Sequence, residues 1–330
     1  MTLEVEPSRW DELLARASCE DAYYLRGYIE SAAAIHPGRS AYLYVGSERG
    51  AVAFPCIIRE QPELGVRDVT TVAYGGPLAL GADPPLERFS ALYEEWCAEQ
   101  GIVTTFVRFH PLFANHRYAA PCFQRERVEG TVSWQLDGEL FAGMHRHHRR
   151  LVRKAEAAGI DVRVIAGPDR LDGFAALYGQ TMHRLGASSF YFFPEEYWRR
   201  LALELGERLV LLEARLGERV IGSILCFATP PWLHYHLGAT SDEARELGVS
   251  HLLIYSAARF GRERGYEQFH LGSGVGAVGG SLLGFKQRFS PSPLLEQWFG
   301  KAVHDVERYM ELTGSRTPTY DGFFPAYRSP

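Results

Sequence analysis

Short apolar runs joined by glycine-containing turns occur twice in the chain, once in each half. The paired runs are 41–45 with 51–58 and 209–214 with 220–227. Gly50 lies in the first turn and Gly217 in the second. Two apolar runs of this length around a short glycine turn predict an antiparallel β-hairpin. We therefore expect one hairpin in each half of the chain.

Each predicted hairpin is followed by the same order of further elements. Helical spacing of i, i+3, i+4 and i+7 is shown in the first half by the apolar residues Phe89, Leu92, Tyr93 and Trp96. A glycine follows the predicted helix in both halves, as at many helix C-termini. The predicted strand, helix and strand are 72–75, 86–99 and 103–109 in the first half, and 235–238, 250–264 and 267–271 in the second. The repeat predicts two copies of one α/β module.

The size of the chain agrees with a duplicated module. A length of 330 residues suits two domains of ordinary size better than one. Hydrophobic residues make up 46% of the chain, enough for two cores, and charged residues make up 23%, as in ordinary globular proteins. We predict a first domain at 1–140 and a second at 141–311.

Charge and cysteine usage exclude several classes of protein. The formal charge of -5 argues against broad nonspecific binding of nucleic acid, although a local basic surface is compatible with it. The five cysteines are scattered without a CxxC pair, so neither a disulfide framework nor a zinc site is predicted. The N-terminal segment lacks the pattern of a signal peptide, and no apolar run approaches the roughly 20 residues that cross a bilayer. We expect a cytoplasmic protein that is not inserted in a membrane, and the sequence predicts no oligomeric state.

One lysine is a candidate for catalysis because of the residues around it. A glycine-rich loop, 272–280, follows a predicted strand and precedes the mostly apolar segment 282–289, which contains Lys286. A lysine beside an apolar wall is poorly hydrated, so its charge acts more strongly on a neighbouring oxyanion. Only three lysines occur among 35 lysine and arginine residues, so a lysine here is a departure from the habitual arginine. A surface lysine on a short helix is the alternative interpretation.

The most basic run of the chain is 145–154, and it contains Arg150 and Arg153. Its three histidines have no carboxylate or cysteine at ligand spacing, so we predict no metal site. Two interpretations remain for the run. It is either a solvated helix face or a surface that binds phosphates, in a tRNA acceptor stem or in a nucleotide substrate.

The order of hairpin, strand, helix and strand resembles the core of the GNAT acyltransferase fold. The tandem pair with a terminal glycine-rich loop and Phe-Lys is similar to the FemABX family of nonribosomal peptidyltransferases. The resemblance covers most of the chain and rests on the segments 74–77, 149–159, 177–184, 234–239, 265–266 and 284–289. It implies two tandem GNAT-like domains, each a mixed sheet flanked by helices, with the C-terminal tail 312–330 packed on the first.

The same resemblance implies an activity. FemABX enzymes form an amide bond by moving an aminoacyl group from aminoacyl-tRNA to the amine of a peptide or nucleotide-linked acceptor, such as a cell-wall precursor, and a secondary metabolite is the other acceptor to consider. Aminoacyl-tRNA is the co-substrate, and no metal or redox cofactor is needed. The motif Phe285-Lys286 matches the family's catalytic lysine, which stabilises negative charge at the reacting carbonyl or at the leaving ribose oxygen.

Other site residues follow from the resemblance position by position. Arg184 and Tyr191 match residues that hold the acceptor, and we expect Arg184 near the end of a helix whose apolar face is Phe174, Tyr178, Met182 and Leu185. Tyr235 and His236 are adjacent on a predicted strand, so only one of them can face a cleft. His110 stands where family members often carry an acidic residue. Histidine accepts a proton at neutral pH, so His110 is a candidate base.

Two other functions fit parts of the sequence. An acyl-CoA-dependent N-acyltransferase holds pyrophosphate on a glycine-containing loop at a helix N-terminus. The segment 245–250 approaches that pattern, but Glu246 would place a negative charge near the phosphates, and Ser250 could instead be a helix N-cap. The second alternative is a non-catalytic scaffold of two GNAT-like modules, for which Lys286 and the glycine-rich loop would be unnecessary.

Overall fold

The computed structural model describes residues 3–17, 19–35, 37–71, 73–118, 123–274 and 281–329. The chain forms two compact units. The first unit consists of Met1–Val128 and Glu296–Pro330, and the second unit consists of Glu129–Leu295. Among the described residues, no helix combines the length and apolar character needed to cross a bilayer.

Helices and strands alternate along much of the chain. The helices are α1 (Pro7–Arg16), α2 (Arg26–Ala33), α3 (Leu86–Gln100), α4 (Leu140–Gly143), α5 (Arg146–Ala157), α6 (Asp172–Arg184), α7 (Glu195–Leu205), α8 (Asp242–Leu247), α9 (Val249–Glu263), α10 (Ser281–Gln287) and α11 (Val306–Thr313). The strands are β1 (Gly38–Gly46), β2 (Gly50–Gln61), β3 (Val66–Thr70), β4 (Leu78–Gly81), β5 (Ile102–Arg108), β6 (Gln124–Gln135), β7 (Asp161–Ala166), β8 (Leu209–Leu216), β9 (Arg219–Thr229), β10 (Trp232–Thr240), β11 (Gln268–Gly272) and β12 (Leu295–Val303).

In the first unit the strands lie in the order β1-β2-β3-β5-β12, and β4 pairs with β2. The strands β3 and β5 are parallel, and the other neighbours are antiparallel. Helix α3 contributes Phe89 and Tyr93, both fully buried, to the core of this unit. The ring of Tyr93 lies 5.8 Å from that of Phe54 on β2. The helix thus packs on the sheet through the apolar face that its periodicity predicted.

In the second unit the order is β6-β11-β10-β9-β8-β7, with β10 and β11 parallel and the other neighbours antiparallel. Helix α9 covers this sheet and buries Leu253 and Ala257 completely. Gly222 on β9 allows the close approach, because a Cβ there would lie 2.5 Å from a methyl carbon of Val249. The elements β8, β9, β10, α9 and β11 repeat the order of β1, β2, β3, α3 and β5. The predicted α/β fold, with one mixed sheet and flanking helices in each half, is confirmed.

One predicted strand is misplaced. The segment 72–75 was expected to be the third strand of the first unit, but residues 73–74 form bends, and Val72 lies outside the described residues. The third strand is β3, where Asp68 is fully buried and its carboxylate lies 2.6 Å from the guanidinium of Arg59. Strand β3 contains the charged residues Arg67 and Asp68, so it does not appear as an apolar run in the sequence. Asp68 can be buried there because it pairs with an arginine elsewhere in the chain.

The predicted domain boundaries also differ from the units. Residues 129–140 were assigned to the first domain but lie in the second unit, and residues 296–311 were assigned to the second domain but lie in the first. The physical reason is the pairing of β12 with β5, which returns the chain to the first sheet after residue 295. Residues after β12 also belong to the first unit. Tyr309 and Phe324 pack with Val66 and Val103 in a small hydrophobic cluster of that unit.

Candidate functional site

Lys286 lies on the short helix α10 of the second unit with only 7% of its surface exposed. Its Nζ donates a hydrogen bond of 2.7 Å to the carbonyl oxygen of Ser273 and lies 5.1 Å from the ring centroid of Tyr235. No aspartate or glutamate among the described residues forms an ion pair with it. Because burial disfavours the charged form, the pKa of Lys286 falls to about 7.

The surroundings of Lys286 are shaped by two strands that separate. The parallel ladder between β10 and β11 ends at His234 and His270, whereas β10 continues to Thr240. An irregularity in the pairing of β10 with β9 occurs between Tyr235 and Leu237. Tyr235 and Ser273, which flank Lys286, both lie beyond the last residues of the parallel ladder. Among the described residues, the pairing of β10 with β11 does not extend beyond His234, so Lys286 lies beside a potential binding edge.

Tyr235 and His236 face opposite sides of β10. Tyr235 packs with the core under α9, and a Cβ at Gly238 would lie 2.1 Å from its hydroxyl oxygen, so glycine leaves space for that hydroxyl. The Nε2 atom of His236 lies 2.6 Å from the hydroxyl of Tyr197 on α7, and burial lowers the pKa of His236 to about 3. Of the two predicted residues, the structure brings Tyr235 to Lys286 and places His236 on the other face.

Arg184 ends α6 and is held by the end of β10. Its guanidinium donates to the carbonyl oxygen of Thr240 at 2.8 Å and lies 3.1 Å from a carboxylate oxygen of Asp242. Its Nε atom is buried and has no hydrogen-bond partner among the described residues. Thr240 and Asp242 therefore fix the position of the guanidinium.

The helix that carries Arg184 differs from the prediction in its buried face. Phe174 and Tyr178 are buried as expected, but Leu185 is 65% exposed. Thr181 takes the place next to β10, because its hydroxyl donates to the carbonyl oxygen of Leu177 and accepts a hydrogen bond from the backbone N–H of Thr240. Tyr191 follows in a short 3-10 turn, Ser189–Tyr191, and is partly buried.

His110 lies in the first unit, directly after β5 and the single residue Phe109. Its side chain is fully buried among aromatic rings, with the ring of Phe113 4.7 Å away. Its Nε2 atom lies 3.4 Å from a carboxylate oxygen of Asp21, and its backbone N–H donates to Asn115 at 2.7 Å. A carboxylate beside a buried imidazole is a common arrangement for orienting a base and also for satisfying a core histidine. The role of His110 as a base stays a prediction.

Arg150 and Arg153 are exposed on α5, the helix formed by the basic run. The guanidinium of Arg153 lies 5.1 Å from the ring of Phe141, and an Nη of Arg150 lies 3.5 Å from Nδ1 of His147. Among the described residues, no carboxylate forms an ion pair with the helix's basic side chains Arg146, Arg149, Arg150, Arg153 and Lys154. The exposed face of α5 therefore carries a row of cations without ion-pair partners in the part of the chain that the structure describes.

The segment that approached a CoA-binding pattern is closely packed. Helix α8 runs to Leu247, so Gly248 alone separates it from α9, and Gly248 rather than Ser250 is the N-cap of α9. A Cβ at Gly248 would lie 2.6 Å from the carbonyl oxygen of Leu151 on α5. The Nζ of Lys154 donates to the carbonyl oxygen of Glu246 at 2.7 Å. The N-terminus of α9 is thus packed against α5.

Two features of the site were not singled out from the sequence. Ser273 was seen only as part of the glycine-rich loop, and its carbonyl oxygen is the acceptor for Lys286. The separation of β10 from β11 gave no sequence signal except Gly238, which lies beyond the last paired residue. The remainder of the predicted loop, residues 275–280, lies outside the described residues.

Comparisons with known proteins show the fold. Residues 142–277 match a family model described as an acetyltransferase (GNAT) domain, which supports an acyltransferase. No curated protein matches the chain. The structure is similar to FemX, at 15% identity and a TM-score of 0.66 over 94% of this chain and 99% of that one.

Two further solved structures extend the comparison. The C-terminal domain of a putative lysylphosphatidylglycerol synthetase from Agrobacterium fabrum is 14% identical, with a TM-score of 0.59 over 92% of this chain and 94% of that one. A tandem GNAT protein from the clavulanic acid biosynthesis pathway is 13% identical, with a TM-score of 0.53 over 92% of this chain and 98% of that one. The chain has the tandem GNAT fold.

Proposed function

We propose that the protein moves an aminoacyl group from aminoacyl-tRNA to the amine of a peptide or nucleotide-linked acceptor and so forms an amide bond. The observation that carries the proposal is Lys286, a buried lysine without a carboxylate partner among the described residues, beside the separated ends of β10 and β11. A buried charge that lacks a partner costs stability, which a purely structural position would not require. The resemblance of Phe285-Lys286 to the FemABX motif and the fold shared with FemX support the same activity.

The reaction develops negative charge on the carbonyl oxygen, and the Lys286 ammonium can stabilise that charge. The acceptor nitrogen attacks the ester carbonyl carbon, a C–N bond forms, and the carbonyl electron pair moves to oxygen. Collapse of this intermediate breaks the C–O bond to the ribose, and the proton that the attacking amine loses is taken up by the ribose oxygen. An ammonium about 4 Å from the oxyanion contributes about 4 kcal/mol at an effective dielectric of about 20. That energy corresponds to about a thousandfold in rate, and the oxyanion in turn favours the charged form of Lys286.

The exposed face of α5 provides the proposed contact with tRNA. Arg150 and Arg153 are exposed and lack carboxylate partners among the described residues, so they remain available to phosphates. This local cationic surface fits RNA binding in a chain whose formal charge is -5. Arg184 and Tyr191 are proposed to hold the acceptor, as the resemblance to the FemABX family implies.

Transfer from acyl-CoA is the second candidate, favoured by the match of residues 142–277 to an acetyltransferase domain. In that reaction the pyrophosphate needs backbone N–H groups at a helix N-terminus. The N-terminus of α9 lies against α5, with Gly248 in contact with Leu151, and the exposed side chain of Glu246 adds negative charge there. These contacts favour tRNA over CoA as the donor.

Isothermal titration separates the donors. The purified protein is titrated with acetyl-CoA and, separately, with a mixed pool of aminoacyl-tRNA, and transfer is followed with radiolabelled amino acids. We expect heat of binding with charged tRNA and none with acetyl-CoA. Micromolar binding of CoA without tRNA binding would overturn the proposal, and binding of neither would favour the scaffold.

Substitution of Lys286 then tests its role. Lys286→Ala should keep tRNA binding and reduce transfer about a thousandfold, as the loss of about 4 kcal/mol predicts. Lys286→Met is the matched variant, because it keeps the apolar volume of the side chain and removes only the amine. Loss of tRNA binding in both variants would instead make Lys286 a docking residue.

A further inference from the structure

The C-terminal end of helix α10, which carries Lys286, is tied to the N-terminal end of the basic helix α5 by two hydrogen bonds, one of them between the residues that flank the two helices. The backbone N–H of His145 donates to the carbonyl oxygen of Arg288 at 2.9 Å. Nε2 of His148 lies 3.0 Å from the carbonyl oxygen of Phe285, the residue directly before Lys286. A helix of seven residues is too short to be stable alone, so the position of α10 depends on contacts of this kind.

His148 is placed on the buried face of α5, with 1% of its surface exposed. Its ring lies 5.3 Å from that of Phe285, 4.4 Å from that of Phe289 and 4.5 Å from that of His251. Burial lowers the pKa of His148 to about 4, so the imidazole is neutral at neutral pH.

The hydrogen bond to Phe285 determines the tautomer of His148. A carbonyl oxygen only accepts, so Nε2 must carry the proton and donate it. Nδ1 is then an acceptor, and it is buried without a hydrogen-bond partner among the described residues. Apolar packing alone would not need an imidazole with one orphaned nitrogen, because phenylalanine or leucine would fill the same space without that cost. The hydrogen bond that Nε2 donates therefore indicates a functional role for His148.

We propose that His148 is a positioning residue. Its hydrogen bond to the Phe285 carbonyl oxygen fixes α10 to α5, so that phosphates bound on the exposed face of α5 orient Lys286. The coupling to phosphates rests on the proposed function, whereas the control of Lys286 by His148 does not. Arg150 and Arg153 lie on the same helix as His148 but are exposed, so one helix joins the two sites. Displacement of a catalytic group by about 1 Å is enough to cost about a hundredfold in rate.

Two substitutions separate positioning from packing. His148→Phe keeps a ring in the aromatic cluster and removes the donor. His148→Gln loses the ring but keeps an N–H donor at about the distance of Nε2 from the backbone. If the hydrogen bond matters, His148→Gln should resemble the wild type more closely than His148→Phe, whereas a packing role predicts the reverse order.

The first measurement needs no activity. The protein is treated at pH 8 with limiting acetic anhydride, and mass spectrometry follows the labelling of its three lysines. We expect Lys286 to be labelled about tenfold faster in His148→Phe than in the wild type, with His148→Gln close to the wild type. Lys154 is exposed and serves as the internal standard, and Lys301 is buried in the first unit and would report unfolding. Equal labelling of Lys286 in all three proteins would overturn the proposal, whatever the substrate is.

The second measurement tests the coupling to catalysis. In aminoacyl-tRNA transfer, His148→Phe should lower kcat about tenfold to a hundredfold and leave KM for the tRNA unchanged, because the exposed face of α5 is intact. His148→Gln should recover most of the loss. A rise in KM with kcat unchanged would refute the coupling. If the wild type transfers nothing from tRNA while the labelling result holds, the proposed function fails and His148 remains the residue that positions Lys286.

Discussion

The two units accommodate their buried cations in opposite ways. In the first unit, Lys301 is 2% exposed, and its Nζ lies 2.5 Å from a carboxylate oxygen of Glu126. Asp68 in the same unit, also buried, pairs with two arginines. In the second unit, Lys286 is 7% exposed, yet its partners are a carbonyl oxygen and an aromatic ring. Paired buried charges are compatible with a structural role, whereas a lysine buried without a carboxylate partner among the described residues marks a site that stability alone does not explain.

The largest expected stability change tests the paired side of this comparison. Asp68→Asn keeps the shape of the side chain but leaves Arg59 and Arg328 against a neutral amide, so we expect the free energy of unfolding to fall by about 3 kcal/mol. Urea unfolding measures it. Asp11→Asn is the matched control, because Asp11 pairs with Arg26 at the surface and its loss should cost less than about 1 kcal/mol. Equal decreases in the free energy of unfolding of the two variants would show that burial does not determine how much an ion pair contributes to stability.

The unpaired lysine predicts a dependence of stability on pH. The folded protein releases the Lys286 proton near pH 7, whereas the unfolded chain keeps it until about pH 10.4. The unfolded state therefore binds more protons in this window, and stability rises with pH because of this group. Between pH 7 and 9 the wild type should gain about 2 kcal/mol relative to Lys286→Met, at about 1.4 kcal/mol for each pKa unit.

Urea unfolding at both pH values checks this gain. Lys154→Met provides the control, because Lys154 is exposed and its removal should leave the pH dependence of the wild type unchanged. Parallel profiles for the wild type and Lys286→Met would contradict an unpaired buried amine.

The smallest expected effect concerns the surface cations of the second unit. Replacing Arg150 and Arg153 by glutamine should weaken tRNA binding, by roughly 1 kcal/mol for each arginine that contacts a phosphate, and should reduce the slope of log K against log salt by about 1 for each. Binding measured from 50 to 200 mM salt gives this slope. Arg199→Gln is the matched variant, because Arg199 is also exposed on a helix but pairs with Glu196 at 2.8 Å. An equal change in slope for Arg199→Gln would show a diffuse charge effect instead of a defined surface.

Much of the fold could be predicted because it depends on local patterns. The two hairpins and the helices α3 and α9 were predicted from apolar runs and helical spacing, and the structure has them within a few residues. Strand β3 could not be predicted in this way, because burial of Asp68 requires Arg328, which lies near the other end of the chain. The return of β12 to the first sheet was missed for the same reason, since strand pairing across nearly 200 residues leaves no local signal.

The candidate site was predicted only in part. Lys286 could be recognised from its glycine-rich and apolar neighbours, and its burial beside Tyr235 was not visible in the sequence. Arg184 was expected to be available to a ligand, but Thr240 and Asp242 hold its guanidinium. His148 was read only as one histidine of a basic run, because the carbonyl oxygen that it binds is 137 residues away in the sequence.

The amino-acid sequence by itself determined the two hairpins, the helices α3 and α9, the repetition of the α/β module, and the position of a single lysine among apolar residues after a glycine-rich loop. These properties depend on side-chain periodicity and turn chemistry, which act over a few residues. Only the tertiary structure decided that Lys301 meets a carboxylate, whereas Lys286 meets none among the described residues. The energy of a buried charge depends on which groups lie within a few ångströms of it, and distant parts of the chain supply those groups.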